Sequence, residues 1–245
     1  DRATRLGARL AGRAGGTAPN VISSKSHAVI CATAGKAERE AELESLRATF
    51  AKELQASDGA GLTIGLSARE MPEKVLGKAM AAKCMAMGLL IPDGVLAYDL
   101  AIKGGLFVET SHNFAIIETT DEAVRFSSSI RSSLASKKML VFDTLTALAS
   151  LCGAELTWSG DYPAWEYAAN SPLRDAFAAT YKKLFGHEPK IEGVHAGLEC
   201  GIFYQSFKDA GRAVDFISFG PDITGAHSAE EAVDIASVGR MWPLL

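Results

Sequence analysis

Between Gly193 and Glu231, clusters of glycine and histidine interrupt strand-like and helix-like runs, and no other stretch limits the possible folds so closely. It reads Gly193-Val-His-Ala-Gly-Leu-Glu-Cys-Gly201, a helix-like span, the strand-like Val214–Phe219, then Gly220-Pro-Asp-Ile-Thr-Gly-Ala-His-Ser-Ala-Glu-Glu231. His195 and His227 each follow a strand-like run and lie beside glycines, which let other groups approach the backbone closely. Polar residues on loops at strand ends are where α/β proteins place their chemistry. Taken alone, such a histidine is more often a hydrogen-bonded structural residue than a metal ligand.

The rest of the chain sets the frame. Its 245 residues suffice for one large or two smaller domains. A net charge of -4, from 25 basic and 29 acidic residues, leaves no footprint for nucleic acid and no basic membrane patch. Apolar runs are broken well short of the ~18 residues that a membrane span needs. Cys31, Cys84, Cys152 and Cys200 have neither zinc-finger nor redox spacing. Free thiols suit a reducing compartment, so the cytoplasm is expected.

Along the chain, Arg5, Arg9 and Arg13 recur at helical spacing with Leu6 and Leu10 on another face, which predicts an N-terminal helix. Ser26–Ala32 reads as a strand. Lys36–Ala56 reads as a helix with the stripe Leu43, Leu46, Phe50 and Leu54. Leu62–Ser67 is strand-like. A helix starting near Pro72 and ending near Gly88 would bury Val75, Ala79 and Met80, with the methionines 80, 85 and 87 as core filler. Leu106–Glu118 and Ala123–Ser132 predict two strands joined by a short polar turn.

Lys138–Cys152 predicts a helix with Leu145, Leu148 and Cys152 in the core and Gly153 as its cap. Ala154–Trp158 reads as another strand. This order suggests an α+β sheet domain over residues 1–158. Composition then shifts to Gly, Pro, Asn and aromatics. Ser171-Pro172 opens a helix with the stripe Leu173, Phe177, Tyr181 and Leu184, stopped by Gly186. Strand, helix, strand and helix follow, the last begun by a capping box of Ser228 and Glu231. Residues 159–245 thus look like part of an α/β domain, too short to cover both faces of a parallel sheet.

His195-Ala-Gly-Leu-Glu-Cys-Gly201, Ser218-Phe-Gly-Pro221 and Gly225-Ala-His-Ser228 together resemble the C-terminal signature of the aminoacyl-histidine dipeptidases, a family of two-zinc metallopeptidases. The likeness extends through Asp161-Tyr-Pro-Ala-Trp165, Asn170-Ser-Pro172, Val108-Glu-Thr-Ser-His-Asn113 and Ile130-Arg-Ser-Ser133. Gly15-Gly-Thr-Ala-Pro-Asn-Val-Ile22 matches more weakly. The resemblance implies that residues 1–158 are a lid and dimerisation domain. It also implies that residues 159–245 close the catalytic domain, and that the substrate is an Xaa-His dipeptide.

His227 falls on the family's last zinc ligand. The remaining ligands and the general base are expected upstream of Asp1, so the chain alone is expected to be inactive. Arg131 and Asn20 fall where the family caps the substrate's carboxylate, a task suited to the two parallel hydrogen bonds of a guanidinium. His195 can donate to that carboxylate or to a developing oxyanion, with Glu199 orienting it. Both can equally serve only to fix their loop. Cys200 reads as a small apolar residue and not as a nucleophile. His112 stands where the family usually has Leu and reads as a local substitution. The alternatives are a non-catalytic dimerisation or binding module of the same fold, or a related aminoacylase or tripeptidase specificity.

Overall fold

The long strand predicted near residues 106–118 is the backbone of an antiparallel sheet. The computed structural model describes residues 6–57, 61–100, 107–195, 197–226 and 229–245. Its elements are β1 Arg9–Gly15, β2 Ser26–Cys31, α1 Lys36–Glu53, α2 Lys78–Leu90, β3 Gly94–Asp99, β4 Phe107–Thr119 and β5 Val124–Ser132. They continue with α3 Ala135–Cys152, α4 Pro172–Phe185, α5 Glu199–Asp209, β6 Ile223–Thr224, β7 Ala232–Val233, α6 Ile235–Met241 and a 3-10 turn Trp242–Leu244. The fold is mixed α/β, as expected, with antiparallel strands and helices. Two compact units divide the chain.

The first unit comprises Asp1–Pro92, Asn113–Ser129 and Leu148–Ala154. In it β1 pairs antiparallel with β2 along its length and with the C-terminal half of β4 at Ala14↔Glu118 and Gly15↔Ile117. The expected N-terminal helix is therefore a strand. Gly7, Gly12, Gly15 and Gly16 dilute helix propensity there, and the ladder to β2 overrides a coincidental arginine spacing. A register shift between Leu10 and Gly12 marks a bulge.

The apolar core of this unit holds Cys84, Ile91, Ala115, Ile117, Leu148 and Ala149. Each fully buried aliphatic chain contributes roughly 1.5–3 kcal/mol. Helix α1 forms over its predicted span, but its stripe lies only half-buried and Phe50 is exposed. Helix α2 starts six residues later than Pro72 suggested and turns Cys84 inward. Met80 and Met85, expected as core filler, are exposed. Leu62–Ser67 finds no strand partner among the described residues; instead Arg47 Nε donates to the Ile64 carbonyl at 2.7 Å.

Gly153 (φ +63) ends α3 as anticipated. The Ala154 N–H then reaches back to the Ala149 carbonyl at 2.8 Å, the six-to-one bond of a Schellman cap. The strand predicted over Ala154–Trp158 therefore begins as helix cap and pairs with nothing among the described residues.

A glycine-dependent turn and an asparagine side chain shape the segment after β1. Gly16 has φ +81, and a Cβ there would lie 1.8 Å from the Ala115 carbonyl oxygen of β4. Only glycine allows that approach. Three residues on, Asn113 Nδ2 donates to the carbonyls of Pro19 and Val21, both at 3.0 Å.

The second unit comprises Asp93–His112, Ile130–Ala147 and Glu155–Leu245. Here β3, for which the sequence analysis names no element, pairs antiparallel with the N-terminal half of β4 from Gly94↔His112 to Asp99↔Phe107. Buried groups in this unit are largely polar: Glu109, Thr110, His112, Ser132, Ser133, Ser171 and Ser237. Such groups persist in an interior only when hydrogen-bonded. Thr110 Oγ1 and Ser132 Oγ lie 2.9 Å apart, the Ser133 N–H donates to the Glu109 carbonyl, and Ser237 Oγ accepts from the Asp222 N–H.

Helix α4 starts as its sequence dictated. Ser171 Oγ accepts from the Arg174 N–H, Pro172 fills the first turn, and Gly186 (φ +78) ends it. Phe177, Tyr181 and Phe185 form its half-buried face, while Leu173 and Leu184 are exposed. Asp215 Oδ2 accepts from Ser171 Oγ at 2.8 Å and from the Leu173 N–H at 3.0 Å. The Leu173 N–H chiefly, with Ser171, holds the Asp215 carboxyl below its ordinary value.

Val214–Phe219 is not a strand, and neither is the run before His195. A parallel strand buried on both faces needs neighbours, and none pairs with either run among the described residues. Phe219 packs instead on Phe177, with ring centroids 4.6 Å apart. The last helix also differs from expectation. Glu231 precedes the short strand β7, and α6 starts at Ile235 with Asp234 as its cap, accepting from the Ala236 N–H at 2.9 Å. Ser228 lies outside the described residues.

Candidate functional site

Strand alternation brings the first polar cluster together. Successive side chains of β4 and β5 point to opposite faces. Thr110 and Ser132 bond on one face, so Ser111 and Arg131 stand on the other. His195 comes to that second face, with its Nε2 2.9 Å from Ser111 Oγ. The ring of Phe107, four residues before Ser111, meets the imidazole edge-on at 6.4 Å. Arg131 is half-buried, and among the described residues its guanidinium forms no ion pair.

Electrostatics follow from this placement. Burial, reinforced by the positive charge of Arg131, pushes the His195 pKa below its ordinary value of 6.5. At neutral pH the ring is therefore uncharged, and among the described residues it shares one hydrogen bond, with Ser111. The sign of the linkage is plain. The unfolded chain takes up a proton near pH 6.5 and the folded chain resists it, so stability declines as pH falls through that value toward the folded pKa. Thermal midpoints from pH 8 to 5 should drop more steeply for the native protein than for His195→Gln; parallel curves would refute the burial of this ring.

On the same strand, Glu109 is buried and pairs with Lys137 Nζ at 2.5 Å. That pairing keeps a carboxylate on β4 neutralised by a lysine. Lys138, the next residue on α3, fixes the segment after the helix by donating to Asp161 Oδ1 and to the Tyr162 carbonyl at 2.6 Å. Tyr162 is packed from two sides. Lys138 Nζ lies 5.5 Å from the centre of its ring, and a Cβ on Gly197 would come within 2.9 Å of the ring carbons. Gly201 similarly abuts the Pro163 carbonyl. The glycines of the His195 loop are thus there for close approach to the Asp161–Pro163 segment.

The expected site residues fall as follows. Arg131 and His195 are brought together in the second unit. Glu199 is exposed at the first position of α5, and no hydrogen bond ties it to His195 among the described residues. Asn20 is exposed in a turn of the first unit, the one gripped by Asn113. His227 lies outside the described residues. Cys200 is half-buried, burial raises its thiol pKa, and its Sγ donates weakly to the Ile217 carbonyl, all consistent with an unreactive thiol. His112 is buried at 1% exposure.

Sequence reading assigned no role to Ser111, Tyr162, Lys138 or Asn113, although three of them stand in motifs it singled out. The alternation of β4 was the available signal for Ser111.

Among the described residues, no three His, Cys, Asp or Glu side chains converge to hold a metal ion. They do not by themselves fit a two-zinc centre. What the cluster can do is bind: a guanidinium on β5 that forms no ion pair among the described residues, and an uncharged imidazole hydrogen-bonded to β4, suit an anionic group of planar shape.

Residues 17–241 match the model of peptidase family M20/M25/M40, and the chain belongs to that family. Among individual proteins, it is 34% identical over 243 residues to the cytosol non-specific dipeptidase of Escherichia coli (strain K12), a match covering 99% of this chain and 49% of that protein. It also superposes on the crystal structure of aminoacylhistidine dipeptidase from Vibrio alginolyticus with a TM-score of 0.80 and 30% identity, covering 99% of this chain and 48% of that one. The chain therefore spans about half the length of these relatives. No described helix is long and apolar enough to cross a membrane.

Proposed function

We propose that this chain belongs to a metal-dependent dipeptidase and that its own share of the work is to hold the substrate's free C-terminal carboxylate. The observation that carries this reading is Arg131: a half-buried guanidinium without an ion pair among the described residues, beside an imidazole fixed by Ser111. Two parallel N–H groups of Arg131 receive the carboxylate, and the uncharged His195 supplies a further hydrogen bond. Ser111 and Phe107 set the plane of the His195 ring, so that little side-chain freedom remains to be lost on binding.

Membership of the peptidase family and the names of both relatives support a dipeptide as substrate. The motif likeness favours histidine as its second residue. In this proposal Zn2+ is the cofactor, His227 is the ligand that this chain contributes, and Asn20 joins the carboxylate site. Residues 1–158 serve as lid and dimerisation domain, and residues 159–245 belong to the catalytic domain. The protein works as a cytoplasmic homodimer.

The test is steady-state hydrolysis by the full-length protein of an Xaa-His dipeptide, of other dipeptides and of the same dipeptide as its C-terminal amide. Turnover of the free acids with rejection of the amide is expected. Equal use of acid and amide would dismiss the carboxylate reading, and no hydrolysis by the metal-loaded protein would dismiss the dipeptidase reading altogether.

A further inference from the structure

Phe107 opens β4, four residues before Ser111. Both touch the His195 ring. Ser111 Oγ meets its Nε2 at 2.9 Å, and the Phe107 ring meets it edge-on, with centroids 6.4 Å and planes 80° apart. The cluster is thus polarised along β4, with Ser111 and Arg131 at one end and an aromatic ring at the other. A serine hydroxyl already fixes the imidazole, and that task alone does not call for so large an apolar neighbour. The Phe107 ring is also only half-buried, so part of the apolar area that would reward its burial still faces outward. Ligand sites commonly join such an apolar wall to a few well-placed polar groups.

An apolar wall beside a carboxylate site has a definite use. In a dipeptide held by its free carboxylate, the side chain of the C-terminal residue leaves from the carbon next to that carboxylate, so it lies against whatever borders the site. We infer that Phe107 is a specificity-determining residue: its ring is the wall against which that side chain packs while Arg131 and His195 hold the carboxylate. An aromatic wall favours a flat side chain, imidazole or phenyl, over the bare hydrogen of glycine, because a ring pair adds to the gain from buried area.

The inference rests on the carboxylate reading, and its test separates the two. In the full-length protein, kcat/KM is measured for dipeptides with the same first residue and with histidine, phenylalanine or glycine as the second. The native protein should prefer the two that carry a ring. In Phe107→Ala the ratio of kcat/KM for either of them to that for the glycine dipeptide should fall about tenfold. Phe107→Leu fills most of the same volume, keeps the strand apolar and should lower the ratio by a smaller factor. The ratio is the decisive quantity, because a ring that only steadied His195 would affect all three dipeptides alike.

A native ratio retained in both variants, whether activity as a whole falls or not, would overturn the specificity role. A native protein with no preference for the ring-bearing dipeptides would overturn it outright. The carboxylate reading is judged separately, by rejection of the C-terminal amide. Equal use of acid and amide would remove that reading and this inference with it, whereas amide rejection with an unaltered ratio would remove the inference alone.

Discussion

Arg131→Met should raise KM for a free dipeptide roughly a hundredfold in the full-length protein. The estimate takes two charge-assisted hydrogen bonds at the lower end of their usual worth, about 3 kcal/mol in all. Methionine keeps the length and apolar stem of the side chain, so packing along β5 is preserved. The carboxylate lies away from the scissile bond and keeps its charge throughout the reaction. Its grip is therefore nearly the same in ground and transition states, and its loss falls on KM more than on kcat. Arg131→Lys should lie between the two, because an ammonium restores the charge without the planar fork. Hydrolysis of the dipeptide amide provides the control. An Arg131→Met enzyme with native KM would leave this guanidinium without a substrate role.

The second large effect concerns stability. Gly16→Ala should cost about 3–5 kcal/mol, enough to threaten the fold of a marginally stable chain. Two penalties combine. At φ +81 any L side chain is strained, and the new Cβ would lie 1.8 Å from the Ala115 carbonyl oxygen and 3.1 Å from the Ile116 Cα. Those atoms are backbone of a strand whose Ala115 is 2% exposed, so they cannot step aside as a flexible side chain can.

Gly94 offers the comparison, with φ +89 and nothing within 4 Å of its virtual Cβ. Gly94→Ala should show the conformational strain alone, about 1 kcal/mol or a little more. Denaturant unfolding of the two variants would separate strain from collision. Equal losses at both positions would mean that the close approach of Gly16 to β4 contributes nothing.

What could be read in advance followed the physics of local signals. Helix α4 announced itself through Ser171, Pro172 and Gly186, because caps act within a few residues of where they are written. The pair β4 and β5 was legible from an alternating pattern on each side of a polar turn. Elements whose existence depends on a distant partner were not. Arg9–Gly15 carries a helical spacing yet pairs with β2, whereas Leu62–Ser67 and Val214–Phe219 carry strand composition yet have no ladder among the described residues. β3 was missed because Gly94–Asp99 is short and is fixed by its pairing with β4.

The site was legible to the same degree. Arg131 and His195 were named from motifs, and both stand in one cluster. Ser111 and Tyr162 were not assigned, since a serine on a strand and a tyrosine in a loop gain meaning only from what lies opposite them. Glu199 is expected from its motif either to orient His195 or to fix the loop, but at the first position of α5 it is exposed.

The Asp215 carboxylate links the start of α4 to the run that ends at Phe219, which also packs on Phe177 of that helix. One oxygen, Oδ2, receives both the Ser171 hydroxyl and the Leu173 amide, and the residue itself belongs to the ladderless run before Phe219. Its depressed pKa keeps it ionised below the pH at which an ordinary aspartate takes up its proton, and proton uptake there would loosen both the helix start and the run. Order in that corner of the molecule thus rests on one carboxylate and one ring pair, where a sheet would have spread it along an edge.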